Sequence, residues 1–330
     1  MVYIAPQSTD AAFHFAVEEY IMRHYPWDEP VMMIWQADKF AMLGSNQIAE
    51  AEVDMNTMEN AGIRIVRRSS GGGTIFTDMG TLLYTIIMPY TQEKTPLEIL
   101  REQVAKPVAE ALNKLDVPAA VEGRNDILVG GAKVSGLAQY VKHGRICTHG
   151  SLLYDADLEL LAQLLTVNAE KIKSKALKSV RSRVANIRKH KDMGATPEFW
   201  SLIKNELFKE QRVTEYVLTE HDLTEINEIY KEKYANPVWT FGRAPQFTYH
   251  NSKRFTGGIV EFFCDVKNGA VTSCSIKGDF LGVLPVQGLE ELLVNKPFQR
   301  QAFAEVIDGA AMQNYFGDIT KEEFLSCVFN

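Results

Sequence analysis

Apolar positions along this chain recur with two periods, and the period changes often. From Thr9-Asp10 to about residue 25, Ala12, Phe15, Ala16, Tyr20 and Ile21 fall at helical spacing, which predicts an amphipathic helix packed on a sheet. Apolar runs at 31–35, 40–43, 62–66 and 81–88 predict strands. Thr95-Pro96-Leu97-Glu98 combines a capping Thr, a Pro at the first helical position and a Glu placed to close the capping box, so a helix is expected to about residue 115. Short strands follow at 119–121, 127–129, 133–142 and 146–154. Beyond Asp157 the chain turns helical, with further helices at 197–209 and 223–234.

The stretch from Asn236 to Pro245 is punctuated by Pro and Gly and reads as a linker. After it, alternating strands at 257–266 and 270–277 meet at Lys267-Asn268-Gly269, a hairpin signal, and two short helices and a Thr320-to-Glu323 capping box finish the chain. Helices that alternate with strands, only some of them hairpin-linked, predict an α+β fold of mixed α/β sheets rather than a strictly doubly wound one. At 330 residues the chain exceeds the usual single domain. A catalytic domain over 1–245 and a small α/β accessory domain over 246–330 are expected.

Composition narrows the function classes. A net charge of -7 argues against a general nucleic-acid binder. The stretch from Lys171 to Lys191 reverses that average, with nine Lys and Arg and no Asp or Glu, and reads either as a solvated basic face or as a docking surface. No run approaches the ~18 apolar residues of a membrane span, and no basic segment precedes an apolar run at the N-terminus, so no membrane association is expected. Cys147, Cys264, Cys274 and Cys327 have no Cys-x-x-Cys spacing, which fits a reduced, cytoplasmic setting without a zinc site.

Candidate chemistry begins at Arg67-Arg68-Ser69-Ser70-Gly71-Gly72-Gly73-Thr74-Ile75-Phe76. Two cations lead into three glycines, whose N–H groups can be approached without a Cβ in the way and can form an anion nest. Arginine adds a planar fork for phosphate or carboxylate. Neither a P-loop nor a dinucleotide fingerprint is present. A second segment, Gly123-Arg124-Asn125-Asp126, precedes a short strand and Lys133-Val134-Ser135-Gly136.

Together these segments resemble the lipoate-protein ligase family, with its Arg-Arg-x-Ser-Gly-Gly-Gly loop, Gly-Arg-Asn-Asp turn and Lys-Val-Ser-Gly strand. The resemblance continues through His149-Gly150-Ser151-Leu152-Leu153, Ser179-Val180-Arg181-Ser182-Arg183-Val184 and Trp239-Thr240-Phe241-Gly242-Arg243-Ala244-Pro245, and so covers most of the chain. It implies a biotin/lipoate-protein ligase-like catalytic domain that activates lipoate with ATP and Mg2+ to lipoyl-AMP, then acylates a lysine. The acceptors it implies are apo lipoyl domains of 2-oxoacid dehydrogenase complexes and the glycine-cleavage H protein.

By the same resemblance Lys133 is the central lysine, contacting both lipoate and ATP. An ammonium there can bridge the carboxylate and the α-phosphate as charge develops. Arg68, Gly73, Thr74, Ile75 and Phe76 are carried over as the nucleotide segment, and Arg181 and Arg183 as part of an adenylate loop. Ser70, Gly72 and His149 fall where the family forms its lipoyl pocket; His149 reads equally as a hydrogen-bonded structural histidine. Asp126 reads as a magnesium ligand or as a turn-stabilising carboxylate. Arg67 is the less definite member of its pair. One departure stands out: Thr77-Asp78 occupies the place where many relatives have His-Asp.

Rival readings are an octanoyl- or lipoyl-transferase working through a Cys147 thioester, a biotin-protein ligase, a lipoate-activating enzyme that needs a second transferase, and a lipoyl-binding protein without turnover.

Overall fold

The computed structural model describes residues 1–329 except Tyr25, Trp27, Ile48, 165–183, 242–247 and Asn268. The expected helix forms at Ala11–His24, with Asp10 Oδ1 accepting from Ala12 N at 2.8 Å and Arg23 and His24 in the last turn, where cations suit the helix dipole. The strands are β1 (Val2–Tyr3), β2 (Val31–Trp35), β3 (Phe40–Leu43), β4 (Arg64–Arg67), β5 (Ile75–Thr77), β6 (Thr81–Pro89), β7 (Ala119–Glu122), β8 (Asp126–Val129), β9 (Ala132–Lys142), β10 (Arg145–Leu153), β11 (Thr214–Glu215), β12 (Tyr249–Phe255), β13 (Gly258–Lys267) and β14 (Ala270–Gly278). Eight of them make one mixed sheet in the order β11-β1-β2-β6-β10-β9-β8-β7. The α+β expectation therefore holds, β5 is the apolar strand expected to follow the glycines, and β1, β11 and β12 are strands that the apolar pattern did not announce.

Both faces of the large sheet are covered. On β2, Val31, Met33 and Trp35 join the core shared with Ala11–His24, while Met32 and Ile34 join the core beneath Lys106–Lys114 and Thr196–Phe208. All five β2 residues are buried, so a continuous apolar run takes the place of alternation. The capping box at Thr95 forms as expected, and Pro96–Glu98, Ile99–Ala105 and Lys106–Lys114 follow one another without a break, the middle segment as a π-helix.

A second sheet, β4-β3-β5, delivers the arginine pair. Its central strand is parallel to β4 and antiparallel to β5, and Arg68 N donates to Leu43 O at 3.0 Å, which places the start of the glycine loop at the end of β3. The third sheet, β12-β13-β14, carries helices Gln287–Leu293, Arg300–Asp308, Met312–Phe316 and Lys321–Val328 around a core of its own.

The linker expected over 236–245 is corrected in its first half, because Pro237–Phe241 is a helical turn with Thr240 buried. Proline at a first helical position starts a turn as readily as it marks a linker. The 245/246 boundary itself lies outside the described residues. Contacts do join the two units: Gly278 N donates to Asn46 O at 3.0 Å, Val141 N to Val283 O at 2.8 Å, and Arg124 Nε pairs with Asp318 Oδ2 at 3.1 Å.

Candidate active site

The glycine loop ends on a cavity of about 190 Å3, with Phe15, Trp35, Met42 and Leu83 on its apolar side and Arg68, Lys133, His149 and Ser151 among its polar groups. A larger cleft of about 700 Å3 between the two units shares Asn125, Leu137, Ala138 and Leu281 with it.

Lys133 owes its place to a bulge. Register slips between Ile127 and Leu128, so that Leu128 faces Lys133 and Ile127 faces Ser135. The slip breaks alternation: Val134 and Ser135 are both buried, and Lys133 stays half-exposed. Lys133 Nζ lies 2.7 Å from Asp126 Oδ1, with both side chains 35% exposed. Gly136 makes room for it, since a Cβ there would come within 2.8 Å of Lys133 Cε and Nζ. Asn125 fixes the preceding turn by accepting from Leu137 N at 2.9 Å and donating from Nδ2 to Leu137 O at 2.7 Å.

The arginine pair divides its labour. Arg67 is buried and ties the chain together, donating from Nη1 to Gly44 O at 2.8 Å and Gln47 O at 2.6 Å and from Nε to Trp239 O and Thr240 O at 3.0 Å. Arg68 borders the cavity, but it spends donors on the loop: Nη1 to Met42 O, and Nη2 to Gly71 O and Gly73 O, each at 2.8 Å. Burial, with Arg67 beside it, pushes the Arg68 guanidinium down to about 10, so it keeps its charge at neutral pH.

The three glycines also differ. A Cβ on Gly71 would meet Phe280 O at 2.8 Å, and one on Gly72, where φ is +90°, would meet Leu281 Cδ2 at 2.7 Å. Gly72 N in turn donates to Phe280 O at 3.1 Å. These two glycines therefore seat the C-terminal unit. Only at Gly73 would an added Cβ meet nothing, so of the three this one leaves backbone open to a ligand. Thr74 and Ile75 border the cavity, whereas the Phe76 side chain points into the core beside Ala41 and Met58.

Ser70 is fully buried and accepts from Arg68 Nε at 3.1 Å. Its Oγ lies 2.6 Å from His149 Nε2, and His149 Nδ1 lies 3.2 Å from Glu18 Oε2. Thr85 Oγ1 donates to Glu18 Oε1 at 2.6 Å and accepts from Trp35 Nε1 at 3.3 Å. A hydrogen-bonded chain thus runs from Arg68 to Trp35. Both readings of His149 meet here, because it borders the cavity and is held on both ring nitrogens. Glu18 was missed in the sequence, although its place on the buried stripe of the first helix, three residues after Phe15, was a usable signal.

Cys147 is fully buried, and burial, together with the Glu18 charge, pushes its thiol well above the ordinary range. Thr77 is also fully buried, and its Oγ1 has no hydrogen-bond partner among the described residues. Arg181 and Arg183 lie outside the described residues.

For magnesium, the residues beside Lys133 offer the Asp126 carboxylate, while the described side chains with metal-ligand spacing, Glu18, Cys147 and His149, gather around His149 instead. A single carboxylate fits an ion that arrives on nucleotide phosphates rather than one resident in the protein.

A pocket that pairs an apolar slot with a lysine and an open glycine backbone on a mixed α/β scaffold suits an acyl-activating ligase. Residues 10–208 match the model of the lipoyl protein ligase A/B catalytic domain, and residues 244–328 match that of the bacterial lipoate protein ligase C-terminus. The chain belongs to the lipoate-protein ligase family, whose members are ATP-dependent ligases. It is 38% identical to lipoate-protein ligase LplJ of Bacillus subtilis with 100% of each chain covered, and 35% identical to lipoate-protein ligase 1 of Staphylococcus aureus with 96% of each covered. Among solved structures, Plasmodium falciparum LipL1 in complex with lipoate superposes with a TM-score of 0.81 at 20% identity over 98% of this chain and 97% of that one. A lipoate-protein ligase A bound with ATP gives 0.63 at 24% identity over 73% and 98%. These superpositions support the fold.

Proposed function

We infer that the protein is a lipoate-protein ligase acting in two half-reactions. A lipoate carboxylate oxygen bonds to the α-phosphorus of ATP as the bond to the β-phosphate breaks, giving lipoyl-AMP and pyrophosphate. The ε-amine of an acceptor lysine then attacks the acyl carbon, AMP leaves with the anhydride oxygen, and the amine gives up its proton. The observation that carries this reading is Lys133, which borders the same cavity as the open Gly73 backbone and is held by one half-exposed carboxylate. Such a pair is worth little in water, so an incoming anion can displace Asp126 from it.

Lys133 then neutralises charge shared between carboxylate and α-phosphate. Gly73, Thr74 and Ile75 present backbone to the nucleotide, Arg68 shapes that backbone and adds positive charge, and Phe15, Trp35, Met42 and Leu83 take the acyl chain. His149, held by Ser70 and Glu18, orients the polar side of that slot. Asp126, once released from Lys133, would hold a magnesium ion that accompanies ATP, which would supply positive charge to the phosphates. The cleft that shares Asn125 and Leu137 with the cavity gives the acceptor amine its approach. Acceptors are apo lipoyl domains and the glycine-cleavage H protein. Four unpaired cysteines fit a reducing, cytoplasmic compartment. Among the described residues no helix is long and apolar enough to cross a membrane.

The thioester route is disfavoured by the buried Cys147 thiol. The test is mass spectrometry of an apo H protein and an apo lipoyl domain, each incubated with the protein and lipoate, with and without Mg-ATP. An ATP-dependent lipoyl mass shift that vanishes in Lys133→Ala is expected. Lipoate-dependent pyrophosphate release without a shift would mean an activating enzyme that needs a second transferase, and no release at all would overturn the ligase reading.

A further inference from the structure

Two consecutive serines of the glycine loop are held by two consecutive carboxylates of the first helix. Glu18 reaches Ser70 through His149, as described above. Glu19 reaches Ser69 by a separate route outside the cavity. Lys233 Nζ lies 2.6 Å from Glu19 Oε2 and donates to Ser69 Oγ at 3.0 Å. Tyr234 OH donates to the same Glu19 oxygen at 2.8 Å and lies 2.7 Å from Ser69 Oγ. Arg23 Nη2 holds the other Glu19 oxygen at 2.6 Å.

The same segment also grips the residue on the far side of Arg68. Lys233 Nζ stands 4.2 Å above the Trp239 ring, and Trp239 Nε1 donates to Arg67 O at 2.9 Å while Arg67 donates back to Trp239 O and Thr240 O. Residues 67 and 69 are thus fixed by 233–240, and Arg68 is pinned between them. None of these residues lines the cavity; they reach its lining through the neighbouring Arg68 and through the Tyr234 ring, whose centroid lies 5.9 Å from that of Phe15, so their effect on chemistry must be indirect.

We propose that Lys233, seated on Glu19 and Tyr234, is a positioning residue that sets the glycine loop through Ser69 and through Trp239 and Arg67. The proposal rests on the ligase reading above. Lys233 acts on the loop segment that presents backbone to the nucleotide, so its loss shows first as weakened ATP use.

The test is lipoate-dependent pyrophosphate release by wild type, Lys233→Met, Lys233→Arg, Ser69→Ala and the Lys233→Met/Ser69→Ala double variant, with thermal unfolding of each. The expected result is a KM for ATP raised about tenfold in Lys233→Met at nearly constant kcat, a misplacement effect of modest size. Ser69→Ala raises it similarly, the double variant is no worse than either single, and Lys233→Arg recovers most of the loss. Unchanged kinetics with a lowered Tm would make Lys233 purely structural and overturn the proposal, as would fully additive effects. If Lys233→Met fails to fold, Ser69→Ala and Tyr234→Phe carry the same comparison, and normal KM in both overturns the clamp. A wild type that releases no pyrophosphate would overturn the ligase reading and this proposal with it, whereas an active wild type with unaffected variants overturns the clamp alone.

Discussion

Two lysine–carboxylate pairs in this protein lie at nearly the same distance, 2.7 Å for Lys133–Asp126 and 2.6 Å for Lys233–Glu19, and have opposite characters. The first is half-exposed on both sides. The second is sunk against the first helix, with the Glu19 side chain 3% exposed and Arg23 and Tyr234 as further partners. Burial pushes the Glu19 carboxyl up, but Lys233, Arg23 and Tyr234 outweigh it and hold the group at about 2. A lone pair in water contributes ~0–1 kcal/mol and yields to a competing ligand. A buried, multiply bonded one resists, because breaking it strands a charge in a poor dielectric. Distance alone therefore does not separate a reactive lysine from a positioning one; the number of additional partners does.

The comparison breaks first at Lys133. Lys133→Ala is expected to lower kcat/KM for lipoate-dependent pyrophosphate release by about 10²- to 10³-fold, the scale of losing one transition-state charge contact. Its Tm should stay close to wild type, which calorimetry checks. Glu19→Gln should instead show mainly in stability, costing about 3 kcal/mol read by urea unfolding, and should raise the KM for ATP only as far as it unseats Lys233.

The acid limb sharpens that contrast. The folded-state pKa of Glu19 is depressed, so its contribution is present above the unfolded carboxylate value and is lost as pH falls from about 5 toward about 2. Wild type should therefore lose stability over that window faster than Glu19→Gln, and parallel curves would remove Glu19 from the account.

Gly72→Ala should cost about 1–3 kcal/mol through its positive φ and its clash with Leu281, with the clash component recovered in a Gly72→Ala/Leu281→Ala double variant. Gly136→Ala pushes only against the flexible end of Lys133, so about a tenfold loss of kcat with little change in Tm is expected. The smallest effect is predicted for Cys147→Ser, with pyrophosphate release within about twofold of wild type, as befits a buried thiol that attacks nothing.

Much of the fold was legible because its signals are local. The capping boxes at Thr95 and Thr320 depend on four residues each and appear where expected. The strands at 31–35 and 40–43 appear with the expected limits, since each is a short apolar run buried on every residue. β1 and β11 were missed because each has only two residues, β11 at the edge of the sheet and β1 between it and β2, where pairing rather than pattern defines a strand. The 236–245 stretch misled because Pro and Gly mark both loop and helix start, and only the carbonyls of Trp239 and Thr240 accepting from Arg67 decide between them.

The sequence by itself determined the family, the mixed α/β class and the presence of a lysine, an arginine pair and a glycine loop in the right order, because motif spacing and periodicity are properties of neighbours along the chain. Tertiary structure alone decided that Arg67 turns inward to bind carbonyls of 44–47 and 239–240, which glycine stays open, that Gly71 and Gly72 seat Phe280 and Leu281, and that Glu18 and Glu19 hold Ser70 and Ser69. Those assignments depend on groups brought together from segments far apart in sequence, and hydrogen bonding and burial set their energies only after the chain has closed on itself.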